Sequence, residues 1–148
     1  MNSDFKELLA ALCQCQVRFL VVGGYAVMFH TEPRFTKDLD LWIEPNHENA
    51  LRLRQALQIF GAWLEHMSEE DFCQERVMFQ IGLPPTRVDF LTSVPGLEFT
   101  ACWERRKESR LGGVNVPMLG LEDLITAKET AGRDQDLLDL KKLRKSRK

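Results

Sequence analysis

The chain has 148 residues, with 20 basic against 22 acidic side chains and 44% apolar residues, so its net charge is close to zero at −2. That length buries roughly two-thirds of the unfolded surface, enough for one core and too little for a catalytic core plus a large substrate domain; a single domain over 1–148 is expected. Nine Phe, three Trp and one Tyr exclude a disordered chain, and the longest apolar stretch, Val17 to Phe29, is too short to span a bilayer.

Taken in chain order, Ser3 or Asp4 caps a first helix to about Gln14, with Phe5, Leu8, Leu9 and Leu12 on one face. Arg18 to Val22 reads as a buried strand, Gly23-Gly24 as its break, and Gly24 to His30 as a short helix. Pro33 to Lys37 form a loop into a second strand, Asp38 to Glu44. A long helix follows over about His47 to Phe60, with Ala50, Leu53, Leu57 and Phe60 inward and Gly61 as its stop. Met67 to Phe72 suits a helical turn, and Val77 to Leu83 with Thr86 to Leu91 suit a hairpin around Pro84-Pro85. Leu97 to Arg105 fits helix and strand equally, and Arg110 to Met118, broken by Gly112-Gly113, fits a strand pair. Helices close the chain at about Leu121 to Ala131 and Arg133 to Leu143. The expected class is α/β (α+β), a mixed, mostly antiparallel twisted sheet backed by helices.

Cys13, Cys15, Cys73 and Cys102 form no CxxC pair and no zinc spacing. With no leader pattern at the start of the chain, they read as reduced thiols of a cytoplasmic protein.

The chemistry concentrates in two strands. Asp38-Leu39-Asp40-Leu41-Trp42-Ile43 alternates with period two, which sets both aspartates on one face and Leu39, Leu41 and Ile43 on the other. Carboxylates at i and i+2 lie roughly 6.5–7 Å apart along a strand. They repel unless a cation sits between them, and all-oxygen ligands favour Mg²⁺ or Mn²⁺. Asp89, in Arg87-Val88-Asp89-Phe90-Leu91, alternates the same way and joins the pair if the two strands are neighbours with matching faces. Taken singly, an Asp-x-Asp strand is more often a solvated face, and a Gly-Gly after a strand more often a plain turn. Between a strand and a helix, however, that turn removes Cβ atoms where a phosphate chain approaches and aims free helix N–H groups at it. Neither GxxxxGKS nor GxGxxG is present.

In this order, GGYAV, RFTKDLDLW and VDFL resemble the nucleotidyltransferase superfamily related to DNA polymerase β. Its pattern is an hG[GS] turn, a [DE]h[DE] strand and a later h[DE]h strand. The likeness is closest to small bacterial members among toxin–antitoxin and abortive-infection proteins, which often read R-x-T-x-D-[ILV]-D, here Arg34 to Asp40. Their C-terminal region is similar to Leu121 to Leu140, so the resemblance covers about residues 15 to 143. It implies the nucleotidyltransferase fold, with Asp38, Asp40 and Asp89 as catalytic residues holding two Mg²⁺ (or Mn²⁺) ions. It also implies NTP bound by Gly23, Gly24, Arg34, Thr36, Lys128 and Arg133. An acceptor hydroxyl, on a tRNA end, a protein side chain or a small molecule, would receive the NMP group as pyrophosphate leaves, the first two being favoured. A partner chain of a toxin–antitoxin pair or a second copy could complete the surface. The competing reading is an inert nucleotide-binding or antitoxin-like module that has kept the site.

Other residues carry two readings each. Lys128 lies on the buried stripe of Leu121, Leu124 and Ile125, where an ammonium must snorkel out or meet an anion. Arg133 and Asp136 either contact substrate or pair with each other at i, i+3. Arg34 binds a phosphate or pairs with Glu32. His30 is a base or a packed histidine, and Trp42 stacks on a nucleobase or packs in the core. The C-terminal run Lys141 to Lys148 holds six basic residues, either a frayed helix end or a contact for RNA or an acidic partner.

Overall fold

The computed structural model describes residues 3–33, 38–83 and 86–147. Arg34 and Thr36 lie outside the described residues, as does the Pro84-Pro85 turn.

Helix α1 (Ser3–Gln14) buries Phe5, Leu8, Leu9, Ala11 and Leu12 at helical spacing. Strand β1 (Phe19–Val22) is buried along its whole length, and α2 (Gly23–His30) starts directly from it with Val22 as N-cap. Strand β2 (Asp38–Ile43) leads to α3 (His47–Phe60). The Asn46 side chain accepts the Asn49 N–H to cap α3, and Gly61 ends it in a left-handed conformation. After a 3₁₀ turn (Glu69–Cys73) come β3 (Met78–Ile81), β4 (Arg87–Leu91), α4 (Phe99–Glu104), β5 (Lys107–Leu111), β6 (Val114–Met118), α5 (Leu121–Ala131) and α6 (Asp134–Lys145).

The six strands form one mixed sheet in the order β3-β4-β2-β1-β6-β5. The pairs β1–β2, β3–β4 and β5–β6 are antiparallel, while β2–β4 and β1–β6 are parallel. β2 is therefore central, flanked by the strand that precedes it and by a strand that arrives only after α3 and a hairpin. Leu39, Leu41 and Ile43 are fully buried on one side of β2. They join one core cluster with Leu8, Leu12, Leu20, Ala50, Leu53, Phe72 and Phe90. Burying a side chain of this size contributes about 1.5–3 kcal/mol each against an entropy cost of similar sum.

Polar ties hold the frame where apolar packing cannot. Asn49, buried on α3, accepts the Arg18 N–H at 2.7 Å and donates to the Arg18 and Glu44 carbonyls at 2.9 and 3.0 Å. It thereby satisfies backbone groups beyond the ends of β1 and β2. Thr92 Oγ1 accepts the Val77 N–H at 2.9 Å and closes the β3–β4 hairpin. Arg105 clamps Asp123 through three contacts of 2.8–3.2 Å, tying the end of α4 to the first turn of α5. His30 contacts the Leu119 carbonyl through Nε2 at 2.8 Å, so it is a packed histidine joining α2 to the start of α5. All four cysteines are free thiols. Among the described residues no helix is long and apolar enough to cross a membrane.

Candidate active site

The register of β2 on β4 sets Asp40 directly beside Asp89 and Asp38 beside Arg87. In a parallel pair, aligned residues point to the same face. The four side chains therefore share the face opposite Leu39 and Leu41. β1 pairs with β2 so that Val22 faces Asp40, which brings the next residue, Gly23, against the Asp40 carboxylate. Gly23 has φ +67°, and a Cβ there would overlap Asp40 Oδ2. Only glycine fits both the backbone conformation and the space. Gly24 lies in the first turn of α2, and the α2 N-cap makes no side-chain hydrogen bond.

A cavity of about 420 Å³ opens over this face. Its sheet wall holds Val22, Gly23, Asp38, Asp40 and Asp89, and its opposite wall holds Leu124, Ala127, Lys128, Arg133 and Asp136 of α5 and the turn into α6. The loop Ser93-Val94-Pro95 forms a third side. Gly96 follows it at φ +84°, with the place of a Cβ taken by Thr130 Oγ1 of α5, which packs that loop tightly onto the helix. Gly24 does not line the cavity.

The electrostatics of the sheet wall are strained. Burial, then the Asp89 charge, a hydrogen bond with Asp89 and the Asp38 charge raise the Asp40 carboxyl to about 7, against a smaller opposing pull from Arg87. Without a cation, Asp40 thus retains a proton over most of the acidic range. Arg87 is the neighbour that the sequence reading passed over. Its Nε and Nη2 donate to Asp89 Oδ1 and Oδ2 at 3.2 and 3.3 Å. The signal was available, because Arg87 stands two residues before Asp89 on an alternating strand and so shares its face.

The opposite wall sets two cations against two buried acids. Lys128 Nζ lies 3.0 Å from Asp136 Oδ1 and 3.0 Å from Asp139 Oδ2, and both aspartate side chains are only 1% exposed. The anion that Lys128 requires is therefore supplied twice, from α6. Arg133 pairs with Asp136 at 2.7 Å, the i, i+3 contact expected from spacing, and its own side chain is 79% exposed. The Arg133 N–H also donates to Asp136 Oδ2 at 3.1 Å, which caps α6. Burial acts to raise the Asp136 carboxyl, but Arg133, Lys128 and that backbone N–H outweigh it and hold it at about 2. Trp42, on the aspartate face, is 2% exposed and meets Phe99 edge-on at 5.1 Å, so it packs in the core.

A family model described as a nucleotidyl transferase of unknown function (DUF2204) matches residues 1–148. The chain belongs to that family. A crystal structure of a provisionally designated nucleotidyltransferase (TM1012) from Thermotoga maritima superposes with a TM-score of 0.59 at 16% identity, covering 97% of this chain and 91% of that one. At that identity the likeness speaks for the fold, and the fold of this family is the mixed α/β sheet with helices described above. No curated protein matches the sequence significantly.

The donor set suits the hard divalent ion that nucleotidyltransferases generally use. It is all oxygen, clustered on adjacent strands, and carries a buried carboxyl beside two other acids. Among the described residues, no three acidic side chains already stand as a metal cage. Asp89 is turned to Arg87 instead.

Proposed function

We propose that the protein transfers a nucleotidyl group from an NTP to an acceptor hydroxyl, with pyrophosphate as the second product. The observation that carries this reading is one cavity that gathers Asp38, Asp40 and Asp89 on one wall and Lys128, Arg133 and Asp136 on the other. With a divalent ion on the three acids and the exposed Arg133 guanidinium at the rim, this cavity would suit an anionic triphosphate and the charge that develops at the transferred phosphorus.

In this reading Asp38, Asp40 and Asp89 hold two Mg²⁺ or Mn²⁺ ions together with the triphosphate oxygens. The metal supplies charge neutralisation at the phosphates and acidifies the attacking hydroxyl. Asp89 is the candidate to take the acceptor's proton. Gly23 leaves the backbone open where the phosphates approach, and the uncapped first turn of α2 offers them N–H donors. Arg133, already at the rim and mostly exposed, reaches the outer phosphates, while Lys128 adds positive charge from inside its pair of aspartates. Arg34 and Thr36 would extend the mouth of the site. The acceptor classes favoured by the resemblance are an RNA end and a protein side chain.

The test is transfer from radiolabelled NTP in the presence of Mg²⁺ or Mn²⁺, scored on RNA and on protein. Wild type should label an acceptor or release pyrophosphate, and Asp38→Ala should abolish both while keeping its fold by circular dichroism. Retained transfer in Asp38→Ala would overturn the assignment of the site.

A further inference from the structure

Arg87 has no part in the reading above, yet it is bonded to the carboxylate that the reading needs. Its guanidinium spans both oxygens of Asp89, at 3.2 and 3.3 Å. The side chain is one-third exposed (33%), against 10% for Asp89, so the guanidinium has open solvent to move into and the carboxylate does not. The strand register also sets Arg87 next to Asp38, inside the field of all three acids. A guanidinium keeps its proton throughout the pH range in which the protein is folded, so Arg87 is a permanent cation there.

From this geometry we propose that Arg87 is a resident counter-cation, which occupies the oxygens of Asp89 in the nucleotide-free protein and yields them when a divalent ion loads. The proposal rests on the nucleotidyl-transfer reading. A guanidinium donating to both oxygens of a carboxylate occupies lone pairs that a metal ion requires. A divalent ion entering alone must therefore break two charge-assisted hydrogen bonds and leave two cations side by side. An ion arriving with a triphosphate meets neither cost in full, because the released guanidinium gains a phosphate as its new partner. Metal and nucleotide then favour each other's binding through one side chain, and by linkage the effect is reciprocal. The bare site stays poorly loaded until substrate is present.

Mn²⁺ affinity measured by electron paramagnetic resonance tests this without any turnover. The proteins are wild type, Arg87→Met, which keeps the apolar stem, and Arg87→Lys, which keeps the charge without the two-pronged contact. In the absence of nucleotide, Arg87→Met should bind Mn²⁺ about tenfold tighter or more, with Arg87→Lys between it and wild type. A non-hydrolysable NTP analogue should tighten Mn²⁺ binding strongly in wild type and much less in Arg87→Met. Thermal melts should show Arg87→Met less stable than wild type without metal and recovered by Mn²⁺, which a variant that merely misfolds would not do. Nucleotide-free Mn²⁺ affinity that is unchanged or weaker in Arg87→Met overturns the role of Arg87. If Mn²⁺ binding is then still lost in Asp40→Asn, the nucleotidyl-transfer reading survives. Wild type that binds no Mn²⁺ with or without the analogue overturns both.

Discussion

Gly23 and Asp40 compete for one position. The glycine's missing Cβ is the space in which Asp40 Oδ2 sits, so the turn that opens the cavity and the carboxylate that lines it are a matched pair across β1 and β2. Gly23→Ala should therefore do two separable things. It forces an L-residue into a left-handed backbone and displaces the carboxylate, at about 1–3 kcal/mol together. It should also weaken Mn²⁺ binding, since Asp40 can no longer hold its position. Gly24→Ala, at a residue that does not itself line the cavity, should leave Mn²⁺ affinity near wild type. Equal Mn²⁺ losses in the two variants would place the constraint elsewhere.

Asp40 makes the metal-free protein sensitive to pH. Its carboxyl is raised to about 7 in the fold, above its unfolded value near 4. The folded state therefore binds more protons between those values, and stability falls as pH rises through that window. Asp40→Asn removes this dependence and should be more stable than wild type at pH 8 by on the order of 2–4 kcal/mol without metal. It should also lose Mn²⁺ binding. Urea titrations from pH 4 to 8 measure the difference, and parallel pH profiles for the two proteins would contradict it.

Lys128 behaves differently from what its place on the α5 stripe suggests in isolation. An alanine or methionine there looks harmless from helix propensity alone. Yet it would strand Asp136 and Asp139, both buried, with one principal cation fewer. Lys128→Met should cost about 3–5 kcal/mol. Lys128→Met combined with Asp136→Asn and Asp139→Asn should regain much of that loss. Chemical denaturation of the three proteins decides it, and a triple variant no more stable than the single one would count against the clamp.

Acid should attack the same clamp in its own range. Asp136 is held at about 2 in the fold against an unfolded value near 4. Its contribution is complete above pH 4 and disappears as pH falls towards 2, below the window in which Asp40 acts. Asp136→Asn should flatten the stability profile between pH 4 and 2 and leave the profile between 4 and 7 unaltered.

Arg133 separates binding from folding. Because its side chain is largely exposed, Arg133→Ala should cost under about 1 kcal/mol and raise KM for NTP several-fold with little change in kcat. An unchanged KM would confine Arg133 to capping α6.

Much of this was legible in the sequence because it is local. The period-two strands, the α3 cap and stop, and the glycine breaks are each fixed by a few adjacent residues. The ambiguity at Leu97 to Arg105 resolved into the six-residue helix Phe99–Glu104; Phe, Thr, Cys and Trp suit strands as well, and tertiary packing decided. The order of strands was not legible. β2 pairs with β4 across the whole of α3 and the hairpin, and no short-range signal encodes that. Hydropathy is a poor guide to the faces of α6. Leu137 and Leu138 are exposed while Asp136 and Asp139 are buried, because the Lys128 ammonium rewards acids at those positions. Of the two outcomes open to Lys128, snorkelling out or meeting an anion, the fold takes the second, with Asp136 and Asp139 as the anions.

The two walls of the cavity come from opposite parts of the polypeptide. The acids of β2 and β4 are made before α5 and α6. β1 must also wait for β6, whose Met118 pairs with Val21, before its second edge is covered. A ribosome-bound chain that has produced every acidic ligand thus still lacks the roof of the site and, with it, Lys128 and Arg133. A single cut in the Gly132 turn between α5 and α6 would likewise free the Lys128 clamp from its tether while leaving the acids intact. The cavity is therefore complete only once α5 and α6 have followed the acidic strands, so these two helices govern when the site exists as well as its geometry.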